Sequence, residues 1–517
     1  MYVQQEIIFP RFIKGSKARK SAPLSAESQH SQIFSRFFSV EQIKSLFEAH
    51  DPLFSKRRRR KLSFEFLFLG VLFYALDRFR NIHQSFETAL RSCHTDEEKW
   101  GISKGSVTMA RDRIPSQVLF EGWKILGKHA HNRKASSQTR VIKCIDGTGF
   151  STADTKENEK VFGRPSASRG KTGFPQFRAV LLMDAHSRIF EGIEWGHYND
   201  QSEASLADKL IQTHDLSGTM IEGDRLYFSK ERCYTIIEKK ADFLFRIRKD
   251  IQVHTCLRLR DGSAIGLLFM RRNSKKLKER MKQKYSSFSL PEIIQEQKRL
   301  LKNVKKRRRE KRPGHRRSRY QTPACYFVRL IEYNVYVHGP SKSKQESYRL
   351  VTSILDPEQL PALTAADDYH CRWEEEVAIR EMKWLQNFSM PHFWGKNPAR
   401  VIQELAVLLV IHTLFRCLLL EASLQSGLPP RRFSVSHARH TLFNALSHSP
   451  FSHKNKHICS NNSFIMHLIR HKLPVNSPRE CPRALKVPIR RYPSRARVRG
   501  PPSVAISYEV RFAPVIS

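Results

Sequence analysis

The chain has 517 residues, with 91 Lys and Arg against 49 Asp and Glu, a formal charge of +42. That excess of cations is foreign to an ordinary metabolic enzyme and points to a polyanion partner, because each neutralised phosphate releases a bound counterion. No apolar stretch of a secretory signal follows the N-terminus, and the apolar runs 66–76 and 405–420 are shorter than the roughly 20 residues of a membrane span. Nine scattered cysteines without a C-x-x-C pair fit reduced thiols in a cytoplasmic, nucleoid-associated protein.

At about 150 residues per domain the length suggests three or four structural units. Residues 1–135 read as a helical N-terminal region. SVEQIKSLFEAH opens on Ser39 with Gln42 three residues on, the spacing of a capping box. SFEFLFLGVLFYALDRF is apolar nearly all round, as a buried helix must be. SKGSVTMARDRI reads as a short capped helix with basic residues. Such a region suits either DNA-end binding or plain helical packing, and both readings stay open.

The pattern changes near residue 140. VIKCID, FRAVLLMDAHSRIFEGIEW and GTMIEGD are strand-like, with AHSR as a turn and Asp184 as its first residue. QSEASLADKLIQTH follows as an amphipathic helix and KKADFLFRIRK as another strand. Strands in a hairpin and then alternating with helices predict a mixed α/β sheet, over residues 136–250 and again over 346–390. Between them, 251–345 reads as a β-rich basic insertion, partly solvated, that ends in a β-hairpin at ACYFVRLIEYNVYVHG. PALTAADDYHCRWEEEVAIREMKWLQ has no helix breaker after its first Pro and predicts one long helix. Residues 391–470 read as a helical C-terminal region, and 471–517 as an extended tail rich in Pro and Arg that could contact nucleic acid.

Asp146 follows the strand-like VIKCI and Asp224 follows TMIEG, and both are expected at strand ends, where α/β sheets build their sites. Each has a glycine beside it that would let a ligand approach the backbone. Two carboxylates repel unless a divalent cation sits between them, but a strand followed by Asp-Gly is also a common turn. The long helix offers further acids. At about 100° per residue, Tyr369, Arg372, Glu376 and Lys383 fall within roughly 60° of one another. Trp373, Val377 and Trp384 border that stripe, Cys371, Ala378, Met382 and Leu385 lie opposite, and Glu374, Glu375 and Glu381 point elsewhere. An acid in line with Arg and Lys suits a metal ligand beside phosphate contacts, or else an exposed i,i+4 ion-pair network.

The spacing Y-x2-R-x3-E-x6-K, filled by Tyr369, Arg372, Glu376 and Lys383, resembles the signature of bacterial insertion-sequence transposases of the "insertion sequence four" family, within the DDE group. CIDGTG resembles that family's first-Asp block, GDRLYF its second, and YRLVTSILDPEQLPA the strand and loop before the signature helix, so the resemblance covers roughly 141–420. It implies an RNase H-like core and a catalytic, metal-binding triad of Asp146, Asp224 and Glu376 with two Mg²⁺ or Mn²⁺ ions. It also implies hydrolytic cleavage at the terminal inverted repeats of a transposon, followed by attack of the 3′-OH on target DNA. Tyr369, Arg372 and Lys383, and Arg225 and Tyr227 of the D-R-x-Y block, would contact DNA. Two ends must be joined, which implies a homodimer in a synaptic complex. A catalytically silent DNA-binding derivative, or another RNase H-like nuclease, are the competing readings. Some relatives stack a flipped base on a tryptophan of the insertion. None of the six tryptophans lies between Asp224 and the signature, which leaves Phe327, Tyr333 or Tyr336 as substitutes.

Two further stretches look like sites. PSASRGKT resembles a phosphate-binding loop, but Pro165 stands at the first glycine position and GFPQ follows where a helix should begin. HKNKHICSNNSFIMHLIRH holds His453, His457, Cys459, His467 and His471 at spacings that zinc can use, with a polar helical surface beside DNA as the blander reading.

Overall fold

A computed structural model describes residues 37–51, 64–79, 81–93, 102–131, 140–167, 170–171, 173–270, 275–309, 323–338, 343–387, 392–447, 461–473 and 507–512. The chain divides into two compact units, one of residues 1–214 and 373–473, the other of 215–372 and 474–517.

The first unit opens with helices. Helix α1 (Val40–His50) is capped as expected: the Gln42 N–H donates to Ser39 Oγ at 3.1 Å and the Ser39 N–H to Gln42 Oε1 at 2.9 Å. Helix α2 (Phe64–Leu76) is buried from Leu67 to Leu76. Gly70 lets it approach α3 (Ile82–Cys93), because a Cβ there would stand 2.7 Å from the Phe86 ring. Helix α4 (Lys104–Arg111) is capped by Ser103, and α5 (Ser116–His131) completes the set. A sheet follows. Strand β1 (Val141–Thr152) pairs antiparallel with β4 (Gln176–Asp184), and β4 with β5 (Phe190–His197). The β4–β5 turn is the one expected, with Asp184 Oδ1 accepting from the Ser187 N–H at 2.8 Å. Around it lie α6 (Lys156–Phe162), the short β2 (Ser166–Ala167) and β3 (Gly170–Lys171) hairpin, and α7 (Glu203–Thr213). The phosphate-loop look-alike is that hairpin, and strand β4 rather than a helix comes after it.

In the second unit, β6 (Thr219–Gly223), α8 (Lys230–Glu238) and β7 (Asp242–Arg246) make a parallel β-α-β unit. The sheet order continues from β7 to β11 (Ser343–Thr352), β10 (Cys325–His338), β9 (Ala264–Phe269) and β8 (His254–Arg258), all antiparallel. From the tail, β13 (Ser507–Phe512) pairs with the second half of β10. The stretch expected to be a hairpin is therefore one 14-residue strand: Asn334 does not turn the chain but pairs with Ser347 across the ladder, taking its hydroxyl hydrogen bond at 2.7 Å. The insertion is also less β-rich than its sequence suggested. Its basic runs form α9 (Lys275–Tyr285) and α10 (Leu290–Arg309). Lys, Arg and Glu are good helix formers, and Tyr285 and Ile293 anchor the pair on Ile265, Leu267 and Phe327. Helix α11 (Ala362–Cys371) closes this part of the unit.

The chain then returns to the first unit with α12 (Trp373–Asn387), β12 (His392–Phe393), α13 (Pro398–Ser426), α14 (Val435–Ser447) and α15 (Asn461–Arg470). The expected single helix thus ends at Cys371 and restarts at Trp373, with Arg372 between the two helices. Helix α13 is the axis of the unit's core. Asn397 caps it, Gly427 ends it at φ 69°, and residues 401–423 are buried apart from half-buried Ile402. At 29 residues it exceeds the apolar run read from sequence and is long and apolar enough to cross a membrane, but its apolar window is wholly buried in protein. Two of its polar groups bond to α4 and α5: Glu404 pairs with Arg111 at 2.8 Å, and Thr413 Oγ1 accepts from Trp123 Nε1 at 3.1 Å. One continuous core joins Phe37 to Leu468, so the described helices of the N-terminal and C-terminal regions share it.

Candidate active site

Within the first unit two of the expected acids lie on a strand and a helix that pack on each other. Asp146 does not end its strand; it lies in the middle of β1, opposite Leu181 of β4. The ladder runs on through Gly147 and Gly149 because Phe150 packs against Phe177 and Phe393 beyond them. Side chains alternate along a strand, so Asp146 shares a face with Cys144 and Phe150, the face that belongs to the helical core. Its Oδ1 accepts from the Gly147 N–H at 2.8 Å.

Helix α12 covers that face. Lys383 places its ammonium 5.7 Å from the Phe150 ring centroid, and burial lowers its pKa. Glu376 is seven residues earlier, within about 20° of Lys383 around the helix. At the other end of α12, Glu374 grips Arg188 in the β4–β5 turn, next to the start of β1, where Lys143 faces Asp184. The helix therefore runs in the direction of the strand. From Lys383 back to Glu376 is about 10.5 Å of helix, and from Phe150 back to Asp146 about 13 Å of strand. Both half-buried acids thus come to the same stretch of the same packed face.

The other acids of α12 are committed elsewhere. Glu374 and Glu381 stand about 160° and about 140° around the helix from Glu376. Arg188 binds both, reaching Glu381 at 3.0 Å, and Glu381 also binds the fully buried Arg416 of α13. Glu375 is fully buried. The bordering strip is different from the one expected: Trp373 is 55% exposed with Arg380 over it, and Cys371 is exposed instead of packed. Trp384 is half-buried between Arg78 and Arg439.

The second unit holds the remaining signature residues. Asp224 follows the last residue of β6, as expected, and its Oδ1 accepts from the Leu226 N–H at 2.7 Å. Arg225 is exposed, but Tyr227 is fully buried, and its carbonyl accepts from the Arg232 guanidinium. That corrects its expected role: Tyr227 packs the motif into the core and presents no surface to DNA. Tyr369 is also largely buried, with Arg372 5.9 Å from its ring centroid. Burial raises its hydroxyl pKa, while Arg372 and Arg246 pull it down and Asp224 pushes it up. Asp224, Tyr369, Arg372 and Arg246 are therefore electrostatic neighbours. Of the aromatic substitutes for a stacking tryptophan, Phe327 and Tyr333 are buried, which leaves Tyr336, half-buried in β10. Sequence reasoning missed Arg246, whose guanidinium lies 4.1 Å over the Tyr348 ring in this layer; a lone Arg in a strand gives no motif signal.

Comparison with known proteins places these residues in a wider group. A family model described as a transposase DDE domain matches residues 137–414. The chain is similar to the transposase InsG for insertion sequence element IS4 of Escherichia coli strain K12, with 22% identity over 383 residues, 73% of this chain and 75% of the relative. Among solved structures it is similar to a piggyBac transposase synaptic complex with hairpin DNA, at a TM-score of 0.37 and 11% identity, covering 86% of this chain and 85% of that one.

Proposed function

The chain belongs to the transposase DDE-domain family and is a DNA transposase; from that premise we propose that Asp146, Asp224 and Glu376 are its catalytic carboxylates. The observation that supports the reading is the packing of α12 on β1, with Lys383 against Phe150, while Glu374 and Glu381 are held by arginines. Asp224 is the third, taken from its D-R-x-Y block and its place after β6.

The family works with divalent metal ions, and we assign two Mg²⁺ or Mn²⁺ here. Half-buried carboxylate oxygens are the hard donors these ions take, and the ions keep further positions for water and phosphate oxygens. When bound, such ions supply an activated nucleophile and stabilise the leaving oxygen of an in-line displacement. The chain's own residues do the rest. Asp146 and Glu376, fixed by a strand and a packed helix, set where the scissile phosphate sits. Lys383 and Arg372 offer cations to the flanking phosphates, Arg372 as a planar fork and Lys383 as a point charge. Tyr369, desolvated beside Arg372, positions that guanidinium. Arg225, exposed next to Asp224, adds a further phosphate contact.

The reaction is hydrolytic cleavage at the inverted-repeat ends of the element, then transfer of the 3′-OH into target DNA, within a homodimer that holds two ends together. The fold that carries it is an RNase H-like core with an insertion between Asp224 and the signature helices. The test is Mg²⁺-dependent cleavage of an end-containing duplex by wild type and by Glu376→Gln. Equal cleavage by the two would refute the triad. End binding should also weaken about 10³–10⁵-fold between 50 and 200 mM salt if six to ten phosphates are contacted.

A further inference from the structure

Away from the carboxylates, three imidazoles meet in the C-terminal helices of the first unit. His467 and His471 are four residues apart. Helix α15 ends at Arg470, but the His471 N–H still donates to the His467 carbonyl at 3.1 Å, so the two side chains leave the same side of a helical turn. His437 comes from the first turn of α14. One ligand nitrogen from each of the three lies within 4.8 Å of the others. Their ring centroids are 5.2 Å apart for His437 and His467, 5.0 Å for His437 and His471, and 4.3 Å for His467 and His471. His437 Nε2 is buried and has no hydrogen-bond partner among the described residues.

Ring stacking alone could hold aromatic side chains at such distances, but it leaves a buried imidazole nitrogen unsatisfied, which costs about 1–3 kcal/mol. A phosphate-binding patch would need the rings protonated. Burial and the neighbouring imidazoles instead lower the pKa values of His437 and His467, which favours the neutral, ligating form. Zinc–nitrogen bonds of about 2.0–2.1 Å set tetrahedral ligand nitrogens roughly 3.4 Å apart, so side-chain rotation suffices to close the trio on one ion. Imidazole donors also separate this site from the carboxylates, which take harder cations.

We propose that His437, His467 and His471 form a binding site for a divalent transition metal of the zinc class, which clips α14 to α15. The ion completes a tetrahedron with water or one further donor. His453, His457 and Cys459, the other members of the stretch, lie outside the described residues. Residues 448–460 separate the two helices in the chain, and a clip between the helices adds to the stability of the pair as any cross-link between distant positions does.

The test uses the full chain, stripped of metal by chelation and held in excess Mg²⁺ so that oxygen-donor sites are filled. Titration with Co²⁺ should give the intense visible bands of a four-coordinate, nitrogen-ligated ion, saturating at one equivalent and bleached by Zn²⁺. His437→Asn and His471→Asn should each weaken binding about 100-fold or more, while His440→Asn, one turn along α14, should leave it unchanged. Zn²⁺ should raise the unfolding temperature of the wild type and of His440→Asn but not of the two site variants. His471 is exposed, so His471→Asn should fold even if the His437 variant does not, and its metal-free unfolding temperature should match the wild type. Absence of the bands in the wild type, or their survival in His471→Asn, would overturn the proposal.

Discussion

Two faces of helix α12 treat their acids in opposite ways. On one, Glu374 and Glu381 are tied to Arg188 and Arg416 and help lock the helix onto α13 and the β4–β5 turn. On the other, Glu376 and Lys383 face β1, where Asp146 lies on the same side of the strand as Phe150. Four acids within eight residues therefore divide into those that stabilise the scaffold and one that the scaffold presents. A carboxylate matched with a buried guanidinium cannot also serve a cation without leaving that guanidinium uncompensated. The ion pairs on the first face hold the second in place.

The sharpest way to break this contrast is to neutralise one acid on each face. Glu376→Gln or Asp146→Asn should lower Mg²⁺-dependent cleavage by about 10³-fold or more, roughly 4 kcal/mol of barrier, while far-ultraviolet circular dichroism and the unfolding midpoint stay near wild type. Glu381→Gln should do the reverse. It strands Arg416 in the core and should cost about 3–5 kcal/mol in denaturant unfolding; a loss below 1 kcal/mol would mean the arginines find other partners. A third measurement uses pH. His412 of α13 is fully buried beside this network, 3.8 Å from Glu381, and burial, with help from Arg188, lowers its pKa to about 3. The unfolded chain takes up that proton near pH 6.5, so the neutral histidine's contribution is complete above pH 6.5 and falls by about 1.4 kcal/mol per pH unit as the pH drops towards 3. His412→Leu should flatten the stability profile in that window, and an unchanged slope would show that His412 is protonated in the folded state. The smallest effect is expected at Trp373, exposed beneath Arg380, where Trp373→Ala should change stability by about 1 kcal/mol or less.

Much of this arrangement was legible from sequence wherever local pattern and tertiary demand agree. The Ser39 capping box, the buried α2, the Asp184 turn and the end of β6 before Asp224 all follow from residue type and spacing. The failures have particular causes. Asp146 looked like a strand end because Gly147 and Gly149 mimic turn residues, yet pairing with β4 and the packing of Phe150 carry the strand past them. The break between α11 and α12 has no Gly or Pro to announce it, and the wheel that aligned Tyr369 and Arg372 with Glu376 assumed an unbroken helix. Within α12 the helix is unbroken from Trp373 to Asn387, so the angle of about 20° between Glu376 and Lys383 does not depend on that assumption. The basic insertion was misjudged because charge density hid the few apolar anchors, Tyr285 and Ile293, that seat its helices. His437 joins His467 and His471 only through the packing of α14 and α15 against α13, and no sequence spacing signals that.

Helix α13 has a consequence for how the protein comes into being. Helices α1 to α5 are made before α13, yet the surface that α2 and α5 bury against, and the groups that pair with Arg111 and Trp123, belong to residues 398–426. At about 5–20 residues per second, a nascent chain waits roughly 15–60 s between finishing α5 and finishing α13. Throughout that interval the apolar α2 has no finished core to enter. A chain cut short before α13 is therefore expected to leave the apolar face of α2 exposed, where the full chain buries it.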